Sequence, residues 1–196
     1  MKRFRKVLIV LLAILVPVSI GFGFNFFNSK SSDSVENQAM TVAGTLTVNQ
    51  ISEAQNLVPG DKICKGVTMD IKSSAVSLLR VKVDIYCADS ETAETDIAPI
   101  KNAGDNWLKG SDGYYYYTQG VKNGDIVKLA EEGIYFNGLN GNVDMNKYQG
   151  KKIKVVANAE LVQAKHGVFA EKWGLSENKD GDIYTKLKKI SNDQGQ

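Results

Sequence analysis

Four consecutive tyrosines, Tyr114 to Tyr117, constrain this chain more than any other feature. Aromatic side chains fit a pleated, half-buried surface and crowd a helix, so the run predicts an extended strand. Alternation puts Tyr114 and Tyr116 on one face and Tyr115 and Tyr117 on the other. Ser111-Asp112-Gly113 supplies turn chemistry before the run, and Lys122-Asn123-Gly124-Asp125 supplies it after, ahead of the apolar stretch Ile126 to Leu129. With Trp107 just upstream, this reads as the centre of a β-sandwich. A structural aromatic cluster accounts for the tyrosines more simply than a tyrosine-lined ligand site.

The flanking sequence extends the same pattern. Met40, Val42, Leu46 and Val48 share a parity; so do Val67, Met69 and Ile71; Leu79, Val81, Val83 and Ile85 alternate most cleanly, with Arg80, Lys82 and Asp84 expected to face water. Leu57-Val-Pro-Gly-Asp61 and Ser73-Ser74 read as turns, Ile134–Phe136 as a short strand, 137–142 as a loop and Lys152–Val162 as a long final strand. Short strands with Gly-rich turns predict an all-β fold: a single antiparallel, jelly-roll-like sandwich over residues 39–175, with Trp107, Tyr114, Tyr116, Val81, Val83 and Ile85 in its core. Residues 176–196 are expected to be a polar, largely disordered tail.

The N-terminus has a different character. Lys2, Arg3, Arg5 and Lys6 precede an apolar run from Val7 to Val16, then Pro17 and small residues at Ser19, Gly21 and Gly23. Residues 1–24 therefore read as a signal peptide or a membrane anchor. The small-residue pattern favours cleavage by a signal peptidase; the 18 mostly apolar residues from Val7 to Phe24 lie at the lower edge of a bilayer span. Either way the remainder is expected to be extracellular, secreted or retained at the cell surface. Residues 25–38 are too polar to fold alone and read as a flexible arm, with Phe26, Phe27 and Val35 as its apolar anchors. The formal charge of +2 comes from the leader: without its four bases, 20 basic groups face 22 acidic ones, a balance of −2 that does not suggest a nucleic-acid partner.

Together these pieces resemble the TasA and camelysin family of secreted Gram-positive proteins. The likeness rests on the apolar leader, Ala43-Gly-Thr-Leu46, Leu57-Val-Pro-Gly-Asp61 and Trp107 through Tyr117. It continues with Val121-Lys-Asn-Gly124, where the family usually has Pro-Gly, and with Ala157-Asn-Ala-Glu-Leu-Val-Gln163-Ala164 before Trp173-Gly174. It covers roughly residues 40–175. The resemblance implies a jelly-roll sandwich, export, and assembly with copies of itself, and with other matrix components, into biofilm fibres. In such fibres the arm of one subunit completes a sheet of the next. A monomeric membrane-anchored surface protein and a secreted metalloprotease are the alternatives.

Chemistry-bearing residues are few, and no cofactor is implied. Cys64 and Cys87 would lie nearly opposite in a hairpin of residues 62–71 with 79–87, given a bulge at Lys65-Gly66, and export would permit a disulfide there. Two buried thiols are the other possibility. His166 is the single histidine, no His-Glu-x-x-His or Gly-x-Ser-x-Gly occurs, and no enzymatic activity is expected. Asn178, Asp180 and Asp182 have the oxygen spacing of a calcium loop, but Ser176 replaces its first acid and Leu187 its bidentate glutamate. An Asp-Gly turn is the simpler reading. Asp89, Glu91, Glu94 and Asp96 read as a solvated acidic loop. No sortase-type Leu-Pro-x-Thr-Gly signal lies near Gln196.

Overall fold

The computed structural model describes residues 56–87, 90–137, 148 and 150–194, together with the backbone of 45–48 and 52–54. The leader, the arm with Phe26, Phe27 and Val35, and Asp89 lie outside those residues.

Among the described residues, ten strands form three antiparallel sheets. Strands β1 (Thr45–Val48), β4 (Val67–Lys72) and β8 (Ile126–Leu129) make a three-stranded sheet in the order β1-β4-β8. The larger sheet runs β2-β10-β5-β7-β6, from β2 (Ser52–Ala54), β10 (Ile153–Gln163), β5 (Ser77–Cys87), β7 (Tyr114–Tyr117) and β6 (Trp107–Lys109). A short pair, β3 (Lys62–Cys64) with β9 (Ile134–Tyr135), completes the set. Of the alternating positions Met40, Val42, Leu46 and Val48, the last two fall in β1 and the first two lie outside the described residues.

The main core lies between the sheets. Met69 and Ile71 of β4 and Val127 and Leu129 of β8 cluster with Leu79, Val81, Val83 and Ile85 of β5, Tyr115 of β7, Trp107 of β6 and Ile153 and Val155 of β10. Period-two alternation directs each of these side chains inward. The β4–β5 hairpin expected from the sequence does not exist. Ser73 to Val76 carries the chain from one sheet to the other; β4 pairs with β1 and β8, while β5 pairs with β10 and β7. Ser73 Oγ, 2.6 Å from the Ala75 carbonyl and 2.8 Å from Ser77 Oγ, stabilises that crossing.

The fold is mostly strand, in antiparallel sheets, as the alternation predicts, and the other face of the five-stranded sheet is covered by two short helices. Residues 168–193, expected mostly as sandwich end and tail, form α1 (Val168–Trp173) and α2 (Glu177–Asp193). Gly174, at φ 64°, ends α1, and the Leu175 N–H returns to the Ala170 carbonyl at 2.9 Å. Ser176 then opens α2 from an extended conformation, its own N–H held by Asp180 Oδ2 at 2.9 Å. The helices cluster Phe169, Trp173, Leu175, Ile183 and Leu187 on Leu78 and Tyr116 of the sheet.

Candidate functional site

The most elaborate side-chain assembly lies beneath those helices. Antiparallel register aligns Glu160 of β10 with Arg80 of β5, Arg80 with Tyr116 of β7, and Tyr116 with Leu108 of β6, so one row crosses four strands on the outer face. Arg80 donates from Nε (3.0 Å) and Nη2 (2.8 Å) to Glu160 Oε2, and from Nη1 (3.3 Å) to the Tyr116 hydroxyl. The Tyr116 hydroxyl donates to Asp112 Oδ2 at 2.5 Å, and the Tyr114 hydroxyl to Glu160 Oε1 at 2.9 Å. The guanidinium carbon stands 3.9 Å from the Tyr114 ring centre and 5.0 Å from that of Trp173. Its planar fork and weak hydration suit arginine to such a half-aromatic, half-ionic seat.

This arrangement fixes several protonation states. Burial raises the Tyr116 phenol pKa, and donation to Asp112 raises it further, against the opposing pull of Arg80. The Tyr114 phenol is raised too, first by burial and then by its bond to Glu160. Arg80 was expected in water; its side chain is 11% exposed, because Trp173 closes over it. Asp84, likewise expected to be exposed, is buried, 3.5 Å from Lys82 Nζ and 3.4 Å from Asn158 Nδ2. The cluster's charged groups are engaged with one another, and no nucleophile stands beside a base. Its chemistry is that of a clamp.

The remaining sequence candidates are dispersed. Trp107 is buried in the main core, its indole N–H donating to the Lys128 carbonyl at 2.8 Å, with Tyr117 packed on it at 4.9 Å between ring centres. Of the tyrosines, Tyr115 belongs to the main core, Tyr116 to the helix-covered cluster, and Tyr114 is half-buried against the latter. Cys64 and Cys87 are buried thiols with no disulfide between them. With no β4–β5 hairpin, the register expected to align them is absent: Cys64 pairs with Ile134, and Cys87 with Ile153. The bulge falls between Lys62 and Cys64 rather than at Lys65-Gly66. Burial pushes the Cys64 thiol pKa up, against main-chain hydrogen bonds from Gly66 and Ile134.

Asn178, Asp180 and Asp182 lie along the first turns of α2, not in a loop. Residues two apart on a helix point to nearly opposite sides, so the calcium-loop spacing is not realised as a coordination sphere. Asp180 instead caps its own helix. Among the described residues, no group of three or more His, Cys, Asp and Glu side chains is placed to hold a metal ion. Exposed His166 adopts a left-handed conformation, φ 65°, at the entrance to α1. In the acidic loop, Glu91 and Asp96 are exposed; Glu94 is half-buried and accepts from the Tyr148 hydroxyl.

Sequence reading missed the Arg80 clamp because its partners come from β7, β10 and α1. The usable signal was Trp173, a large aromatic in a stretch otherwise read as the end of the fold. No family model, curated protein or solved structure matches the chain.

Proposed function

We propose that the protein is an extracellular structural subunit that assembles head to tail, with the arm of residues 25–38 adding as a strand to a neighbouring copy. The observation that carries this reading is where the chain enters its fold. Among the described residues, the first two strands both occupy sheet edges: β1 borders the three-stranded sheet and β2 the five-stranded one. An edge strand offers main-chain donors and acceptors to a further strand. A segment arriving there from the N-terminus is within reach of a second molecule's edge as well as its own. At ~3.3–3.6 Å per extended residue, the arm is long enough to bridge two domains.

The resemblance to the TasA and camelysin family supports the same reading, with its jelly-roll connectivity, export through a signal peptidase and matrix location. Phe26, Phe27 and Val35 would fill pockets between strands while the main chain pairs. A contact of this kind does not close on itself, so it builds a filament.

The test compares two purified forms by electron microscopy and sedimentation. Protein beginning near Asn25 is expected to form filaments, and protein beginning at Ala39 to stay monomeric. Monomers from both forms at high concentration would make the arm a tether and the protein a monomeric surface protein.

A further inference from the structure

We infer that residues 165–193 form a hinged cover that opens as one unit from the outer face of the five-stranded sheet while the sandwich stays folded. Four observations converge on this device.

The first is the division of the buried residues into two clusters. The main core between the sheets is complete without any residue beyond Leu161, whereas the smaller cluster exists only while the helices lie on Leu78 and Tyr116. Lifting the helices therefore leaves the main core intact. Local opening of this kind draws on segments whose apolar contacts form a separate set.

The second is a hinge. Between the end of β10 and the start of α1, His166 (φ 65°) and Gly167 (φ 67°) are consecutive left-handed residues. A non-glycine residue in that region is sparsely populated and held only by its surroundings. Just before it, the Ala164 N–H bonds to the Val76 carbonyl at 3.0 Å and pins the fixed side of the hinge.

The third is internal fastening of the cover. Phe169 of α1 packs on Tyr184 of α2 with ring centres 5.6 Å apart, and the Gly167 N–H donates to Ser191 Oγ at 2.9 Å. The ring contact joins the two helices to each other, and the Gly167 bond ties the end of α2 to the hinge about which both turn. Gly181, at φ 32° and ψ −102°, interrupts α2, and a glycine there weakens the helix when it is not supported by packing.

The fourth is a latch. Trp173 lies edge-on to Tyr116, 5.8 Å between centres, and over the Arg80 guanidinium. At the far end, Ile190 sits against Gly120, where an added Cβ would come within 3.2 Å of Ile190 Cγ2. Opening bares an aromatic surface centred on Tyr114 and Tyr116 with the Arg80–Glu160 pair in its midst.

Native-state hydrogen exchange on the full exported protein, in rising sub-denaturing urea, tests this. Amides of residues 168–193 are expected to exchange through an opening that leaves β5 and β10 protected. Trp173→Leu is expected to speed exchange in 168–193 about tenfold, the scale of one cation–π contact, with β5 and β10 unchanged. A second variant, Gly167→Ala, places a side chain at the left-handed hinge of the closed state and is expected to act in the same direction. If the helices lose protection together with β5 and β10, or if Trp173→Leu accelerates all of them equally, the cover is an inseparable part of the domain and the inference is overturned.

Discussion

The indole N–H of Trp107 on β6 donates to the main-chain carbonyl of Lys128 on β8, at 2.8 Å. These strands border different sheets, so one side chain joins the edges of the two layers. Replacing Trp107 with Phe would keep most of the ring packing on Tyr117 but leave the carbonyl unpaired, at a cost of about 1–3 kcal/mol. Trp107→Ala would also open a cavity and cost about 3–5 kcal/mol. Urea unfolding monitored by circular dichroism should rank the two in that order. Equal, small losses would show that the indole contributes little to holding the layers.

Glycines with almost the same backbone angle should respond very differently to alanine. Gly66 (φ +97°) is buried, and a Cβ there would stand 2.2 Å from the Ala130 carbonyl oxygen. Gly60 (φ +95°) has nothing within 4 Å of the same atom. Gly60→Ala carries only the backbone strain, about 1–3 kcal/mol. Gly66→Ala must also move main chain, so its loss should exceed that of Gly60→Ala by at least about 2 kcal/mol. Thermal melts of the pair check this.

Thiol chemistry offers a third check. Cys64 and Cys87 are 7% and 5% exposed and carry no bond to each other. Alkylation without any reductant should leave the native protein nearly unlabelled and add two groups once it is denatured. A mass unchanged after denaturation would reveal a disulfide and contradict the two thiols seen on β3 and β5.

Stability should fall on the alkaline side. Folding raises the Tyr116 and Tyr114 phenols above their ordinary 10.0 and the Cys64 thiol above its ordinary 9.0, in each case chiefly by burial. The unfolded chain therefore releases these protons first. Their contribution is fully present below pH 9 and is lost as pH climbs through 9 and 10 toward the folded values. Denaturant midpoints measured across that range should decline, and Tyr116→Phe should flatten the decline. A decline of the same slope in the variant would exclude Tyr116 as a contributor.

Period-two patterning made much of the sheet legible. Leu79 to Ile85, Val67 to Ile71 and the tyrosine run could be read as strands because each buries a face that alternation marks. Pairing was not legible, since alternation tells which face a residue takes and not which strand lies beside it. Hence the imagined β4–β5 hairpin, and with it the cysteine register. The C-terminal helix was obscured by Asn178-Lys-Asp-Gly-Asp182, whose composition speaks for turns. Beyond it, Ile183, Leu187 and Ser191 recur every four residues and are all buried, which is the helical spacing that the polar opening masked. The Arg80 clamp needed the Trp173 of α1, set over the guanidinium, before its shape could emerge.

The pairing of β5 with β10 carries a kinetic consequence. Arg80 and Glu160 are neighbours in space and 80 residues apart in the chain, and the same antiparallel register runs from Ser77 opposite Gln163 to Cys87 opposite Ile153. Contacts of such high sequence separation form late, because a long loop must close before they are rewarded. As the chain emerges N-terminus first, β5 waits at the middle of its sheet for a strand that has not yet appeared. The larger sheet therefore cannot be completed until all of β10, through Gln163, is available to pair with β5, so β5, β7 and β6 must hold an open edge until the end of the sheet has been made.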